Sequence, residues 1–290
     1  DSFAYPSLAI DQGQAAHIAY QDQKYKYLKY ARWNGESWDV QVLDNEKNTG
    51  RYVSIDVDSF GCPHIGYLKN LYGPSSLRYA WWNDAAWRVE TVDMAGKGGA
   101  YSSMALDAWG SPHISYFDET KGELKYARKT DETWISQVVD NVMVGGHTTS
   151  LRLDGDGNVH ISYYDTVNRD LKYAHGDGTN WDIQTVASEG DVGWYSSLAL
   201  DRDGNPHISY QDYTNNALKY ARWTGSSWEI ETVDPNRAGA YASLALDSHG
   251  DPHIAYFSSG GALRYARWTG MEWTIEAIPD VRYEIGRAHV

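Results

Sequence analysis

The feature that most constrains this chain is a repeat. A segment reading Y-x-S-L-A-L-D-x-x-G-x-P-H-I-S-Y-x-D, then L-K-Y-A-R-W, then W-x-I-x-T-V, recurs six times from end to end. The histidine of the P-H-I step falls at His17, His64, His113, His160, His207 and His253, with successive spacings of 47, 49, 47, 47 and 46 residues. A period that steady belongs to an array of equal structural units, each burying its faces against its neighbours.

The apolar pattern inside one unit has period two, with turn residues every eight to twelve positions, which means strands. In the fifth copy the pattern predicts strand a over Ser197 to Asp201, a turn over Asp201-Arg202-Asp203-Gly204-Asn205, strand b over Pro206 to Tyr213, strand c over Ala217 to Trp223 and strand d over Trp228 to Val233. Asp234 to Ala240 then carries the chain to the inner strand of the next copy. Four antiparallel strands joined by short loops make a propeller blade. The expected fold is therefore all-β: a six-bladed β-propeller of four-stranded antiparallel blades, one domain over residues 1–283. Departures from the repeat are informative. Gly61, Gly110, Gly157, Gly204 and Gly250 hold one position of the a–b turn, but the first copy has Gln14 there, which predicts a different turn. The fourth copy has Thr148 where the others have tyrosine.

Composition limits the partners. The chain is 42% hydrophobic and has no apolar run near the eighteen residues that cross a bilayer, so a globular protein without membrane insertion is expected. A net charge of −14 repels phosphate backbones and argues against nucleic acid. Cys62 is the single cysteine, which excludes an internal disulfide. The chain starts at Asp1 almost on a strand, as a processed product would, and an extracellular or cell-surface protein is expected. Residues 284–290 leave the repeat and match the translation of a common sequencing adapter, so the natural chain is expected to continue differently past Tyr283.

Residues shared by every copy are read first as structural. The six histidines lie on strand b, spread among the units, and each is expected to bond a strand-a serine or the aspartate that ends strand a. Trp38, Trp87, Trp134, Trp181, Trp228 and Trp273 open strand d and are expected to fill the wedges between blades. The strand-b and strand-c tyrosines are expected to send their hydroxyls to backbone or solvent. Asp154 to Asn158 and Asp201 to Asn205 resemble the start of a calcium loop but lack its bidentate glutamate and coincide with hairpin turns. No metal or other cofactor is called for.

Function is sought where copies differ or where the fold gathers them. Tyr5, Tyr52, Tyr101, Tyr195 and Tyr241 precede strand a and should ring one channel mouth, with Trp194, Arg51 and His147 nearby. Aromatic faces beside polar groups hold sugar rings, so these tyrosines with Trp194 are the candidate ligand site. On the opposite face the turn-tip residue is Phe60 in the second copy and Trp109 in the third, with Trp81 and Trp82 on the same side, a candidate partner-contact patch. There is no G-x-S-x-G, H-E-x-x-H, phosphate loop or sialidase-type aspartate box, and no catalytic residue is assigned.

The words S-L-A-L-D, P-H-I-S-Y and L-K-Y-A resemble the β-propeller repeats of exported prokaryotic proteins of no assigned activity, over the whole length to Tyr283. The resemblance implies the fold and supplies no catalytic residues. The expected function is a non-catalytic extracellular propeller that binds a glycan or protein ligand or acts as a scaffold. Two alternatives stand beside it: a subunit of a self-assembling surface layer or filament, using the unpaired edge of strand d and the Phe60/Trp109 patch, and a hydrolase or lyase with its site at the channel mouth.

Overall fold

The computed structural model describes residues 3–70, 75–83, 85–94, 98–131, 133–142, 148–236 and 238–282. They form 24 strands and no helix, arranged as six four-stranded antiparallel sheets. Each sheet is one repeat, its strands paired in chain order a-b-c-d, which makes the protein a six-bladed β-propeller. No described helix is long and apolar enough to cross a membrane. The chain divides into two compact units, one of residues 1–146, 156–158 and 177–181, the other of residues 147–155, 159–176 and 182–290.

Blade 5 shows how the residues set the strands. Strand b, Pro206–Asp212, is buried nearly throughout, strand c is Ala217–Trp223 as expected, and strand d, Trp228–Asp234, alternates between exposed and half-buried positions before ending buried. Strand a is longer than the pattern predicted, Val192–Leu200, and its pairing with strand b slips twice, between Val192 and Trp194 and between Trp194 and Ser197. The slip is a bulge in which Tyr195 takes a left-handed φ of 51°. Tyr52, Tyr101 and Tyr241 do the same at 48°, 53° and 53°. That conformation costs an L residue roughly 1–2 kcal/mol, so packing around the bulge has to hold it. The glycine two residues earlier is part of that packing. A Cβ on Gly50 would lie 2.9 Å from the Leu28 Cα, and one on Gly193 would lie 2.8 Å from the Leu171 Cα. In both cases the inner strand rests directly on strand c of the preceding blade. Strand a of blade 4, with Thr148 in place of tyrosine, is the short Thr149–Leu153 and pairs without a slip.

The first a–b turn corrects an expectation. The Asp11 and Gln14 amides donate to the Ala15 and Asp11 carbonyls at 3.0 Å each, the same two bonds that Asp58 and Gly61 make in the second copy. Gln14 adopts the left-handed φ itself, at 65°. The turn is unchanged, and the glutamine bears the strain that glycine avoids.

The core lies between neighbouring blades. Ala19, Leu28 and Tyr30 of blade 1 pack with Val53, Ile55, Ile65 and Tyr67 of blade 2. Leu218, Tyr220 and Val233 of blade 5 pack likewise with Leu244, Ile254 and Tyr256 of blade 6. Four of the strand-a serines meet the next blade and not the histidines, which had been one expectation for them. The Oγ atoms of Ser7, Ser54, Ser150 and Ser197 instead accept the backbone N–H of Ile55, Met104, Leu198 and Leu244 in the next blade, at 2.9–3.2 Å.

Candidate functional site

Each repeated histidine has a tyrosine hydroxyl on one side and an aspartate on the other. The Nδ1 of His17, His113 and His160 lies 2.5–2.6 Å from the hydroxyl of Tyr30, Tyr126 and Tyr173 respectively, and His64, His207 and His253 pair in the same way with Tyr79, Tyr220 and Tyr265. The Nε2 faces the aspartate ending strand a, 3.1 Å away for His17 and Asp11 and 3.3 Å for His160 and Asp154. A neutral imidazole satisfies both partners when the tyrosine donates to Nδ1 and Nε2–H donates to the carboxylate. Burial keeps the ring neutral by holding His17, His64, His113 and His207 below the usual histidine range and His160 at about 4. The strand-c tyrosine hydroxyls thus reach a histidine, buried in every blade but the sixth, not solvent or backbone. Asp154, His160 and His175 bring one ligand atom each within 4.8 Å of one another, a set that could hold a metal ion. Both nitrogens of His160 are already bonded, so an ion would have to displace one of those partners.

Five of the strand-d tryptophans meet the same tyrosines from the next blade, whereas Trp38 is 46% exposed and packs on Trp33. Trp87, Trp134, Trp181, Trp228 and Trp273 stand edge-on to Tyr30, Tyr79, Tyr126, Tyr173 and Tyr220, with ring centroids 5.0–5.3 Å apart. The indole N–H of Trp87, Trp134, Trp228 and Trp273 donates to Gln41, Glu90, Gln184 and Glu231, one blade back.

Outward of two of these contacts the surface is concave. Between blades 1 and 2 a pocket of about 280 Å³ is lined by Arg32, Asp39, Gln41, Phe60, Trp82 and Trp87. Between blades 5 and 6 the equivalent residues Arg222, Glu231, Trp268 and Trp273 line one of about 100 Å³. In each, two tryptophans from opposite strands of one hairpin, Trp82 with Trp87 and Trp268 with Trp273, sit edge to face at 5.8 and 5.7 Å. Opposite them is a half-exposed guanidinium. Arg222 donates from Nε and an Nη to Glu229, and Arg32 donates to Asp11 at 3.2 Å. The pocket therefore offers a cation, an acceptor and two apolar ring surfaces. Sequence reasoning passed over these arginines because L-K-Y-A-R-W repeats. The informative pattern is a pairing: arginine in one copy followed by tryptophan at the end of Y-A-R-W in the next. Among consecutive copies only 1–2 (Arg32, Trp82) and 5–6 (Arg222, Trp268) have it. Between blades 2 and 3 the arginine is replaced by Trp81 and the tryptophan by Lys129, whose ammonium sits 4.5 Å over the Trp81 ring and 2.6 Å from Glu90.

The other candidates from the sequence fall as follows. Tyr52 and Tyr101 pack together with centroids 4.3 Å apart, as do Tyr195 and Tyr241. Trp194 stacks on Tyr213 at 5.0 Å and donates to Asp191 at 2.7 Å. The side chain of Tyr5 and all of His147 lie outside the described residues. Phe60 is 90% and Trp109 87% exposed at their turn tips. Trp82 joins Phe60 in lining the first pocket, while Trp81 stacks on Tyr79 at 5.2 Å under Lys129.

No family model and no curated protein matches the chain. Solved structures do match in fold. The six-bladed propeller lectin of Aleuria aurantia, described with a fucose recognition mode, superposes with a TM-score of 0.63 at 15% identity over 96% of this chain and 95% of its own. The SapL1 lectin, solved with α-methyl fucoside, gives 0.63 at 14% over 97% and 98%. A leech intramolecular trans-sialidase gives 0.59 at 11%, over 88% of this chain and 65% of its own. At such identities the likeness is one of fold.

Proposed function

We propose that this protein is a non-catalytic, extracellular glycan-binding propeller, and that the pockets at Arg32/Trp82/Trp87 and Arg222/Trp268/Trp273 take the sugar. The observation carrying this is the coincidence of guanidinium, acceptor and paired indoles in one pocket between blades 1 and 2 and another between blades 5 and 6. A sugar ring has an apolar C–H face that lies on an indole and hydroxyls that need donors and acceptors. The glycan ligands of the two lectin structures support the reading, and the shared repeat words support placing the chain among exported propeller proteins. A glycan array with the wild type, R32A, R222A and the double variant tests it. Each single variant should weaken binding and the double should reduce it at least tenfold, with melting temperature unchanged because both side chains are about half exposed. A double variant that binds like wild type, or a wild type that binds no glycan, refutes the assignment.

A second reading rests on the exposed aromatics Phe60 and Trp109, which suit self-association or a protein partner. Light scattering on W109S decides it without touching the first pocket. Association that persists unchanged removes the patch from consideration.

A further inference from the structure

One buried interaction is built at the entries to blades 2, 3 and 6 and is missing at the entry to blade 5. The strand-b tyrosine hydroxyl donates to the aspartate ending strand d of the preceding blade, and the strand-c cation pairs with that same carboxylate. Blade 2 has Tyr67 at 2.8 Å and Arg78 at 3.2 Å from Asp44. Blade 6 has Tyr256 at 2.8 Å and Arg264 at 2.7 Å from Asp234. Blade 3 has Tyr116 at 2.5 Å and Lys125 in direct contact with Asp93. Blade 5 keeps the tyrosine and the cation, Tyr210 and Lys219, but the position before them in the chain is Ala187. A cavity of about 430 Å³ opens there, lined by Ala187, Glu189, Tyr210, Asp212, Asn215 and Lys219. Its size falls within the roughly 300–1,000 Å³ of small-molecule sites.

Blade 3 shows what the cavity lacks. Asp118 there is the counterpart of Asp212, so Lys125 has two carboxylates to choose between. It contacts Asp93, and one Asp118 oxygen has no partner. Without the aspartate of the preceding blade, Lys219 reaches only Asp212, at 3.8 Å. The Tyr210 hydroxyl has no hydrogen-bond partner among the described residues, although the side chain is buried. In blade 3 the equivalent shell holds a second carboxylate, Asp93, beside Asp118.

We propose that the Ala187 cavity is a carboxylate subsite, in which the acid group of a uronic-acid residue takes the place of the missing aspartate, accepting from Tyr210 and pairing with Lys219. The sugar identity rests on the glycan reading above; the carboxylate rests on the blade comparison alone. The subsite is separate from the arginine pockets, so the two assignments can fail independently.

The probes are methyl β-D-glucuronide, methyl β-D-glucoside and acetate, followed by saturation-transfer and chemical-shift NMR on the full chain. The wild type should bind the glucuronide at least tenfold more tightly than the glucoside. A187D supplies the carboxylate internally, so it should lose glucuronide binding at least tenfold and melt higher than wild type. K219M should lose the same preference while K172M in blade 4 does not. Acetate should compete for the site only at much higher concentration if the sugar ring contributes. Glucuronide binding that survives in A187D, or a wild type with no preference for the acid over the glucoside, overturns the proposal. The R32A/R222A variant keeps this subsite intact, so its loss of neutral-glycan binding is read separately.

Discussion

Acid should unfold this protein through its histidines before its carboxylates titrate. His160 is 4% exposed, donates and accepts within the Asp154–His160–Tyr173 set, and is held at about 4 chiefly by burial, against 6.5 for a free imidazole. The unfolded chain binds this proton below about pH 6.5 and the native state does not until about pH 4, so the native state is favoured above 6.5 and loses that advantage as pH falls between the two. A difference of about 2.5 units at ~1.4 kcal/mol each gives about 3.5 kcal/mol, of which most is lost between pH 7.5 and 4.5. His17, His64, His113 and His207 shift in the same direction and add to the slope. The assay is urea unfolding at pH 7.5, 6.0, 5.0 and 4.5 for wild type and H160Q. The variant starts less stable, because the bonds to Tyr173 and Asp154 are disturbed, but its stability should fall by about 2–3 kcal/mol less over the same range. Ring-proton NMR showing His160 titrating near 6.5, or equal pH slopes for the two proteins, would refute the argument.

Other substitutions have directions set by geometry. Gln14→Gly relieves a left-handed φ in the first turn and should stabilise by about 1 kcal/mol, read as a higher urea midpoint; an unchanged or lower midpoint contradicts the shared-turn assignment. Gly193→Ala drives a Cβ to 2.8 Å from the Leu171 backbone at a φ of 107° and should cost about 2–3 kcal/mol in urea unfolding, a cost that would be absent if the bulge could relax away. Tyr256→Phe strips a donor from the buried Asp234 and should cost about 1–2 kcal/mol, whereas Tyr210→Phe, facing Ala187, should stay within about 0.5 kcal/mol. Equal losses in the two tyrosine variants would show that Tyr210 has a partner after all.

The fold was readable because a strand pattern with period two, repeated at a fixed spacing, leaves few ways to bury it. Strand c of blade 5 fell on the residues expected. Strand a did not, since the bulge at Tyr195 depends on a glycine meeting the backbone of the preceding blade, a contact that composition does not reveal. The site was less readable for the same reason. Arg222 and Trp268 lie 46 residues apart and each looks like one more copy of L-K-Y-A-R-W. Only the placement of adjacent blades shows that they face one pocket. Ala187 looks like a neutral substitution at the end of strand d until the register sets it opposite Tyr210 and Lys219. Phe60 and Trp109 stood out because the turn tips of the last three copies are Asp156, Asp203 and His249.

The serine Oγ that accepts an amide from the following strand a has a consequence for how the molecule comes apart. With aspartates and tryptophans also anchored in the adjoining copy, these repeats keep their strand ladders to themselves but borrow side-chain bonds from their neighbours. A single repeat excised from the chain would expose two sets of severed contacts and should not hold its shape. Pulled by its ends, the protein should yield in steps larger than one repeat, because loosening any copy strips donors from the copy beside it.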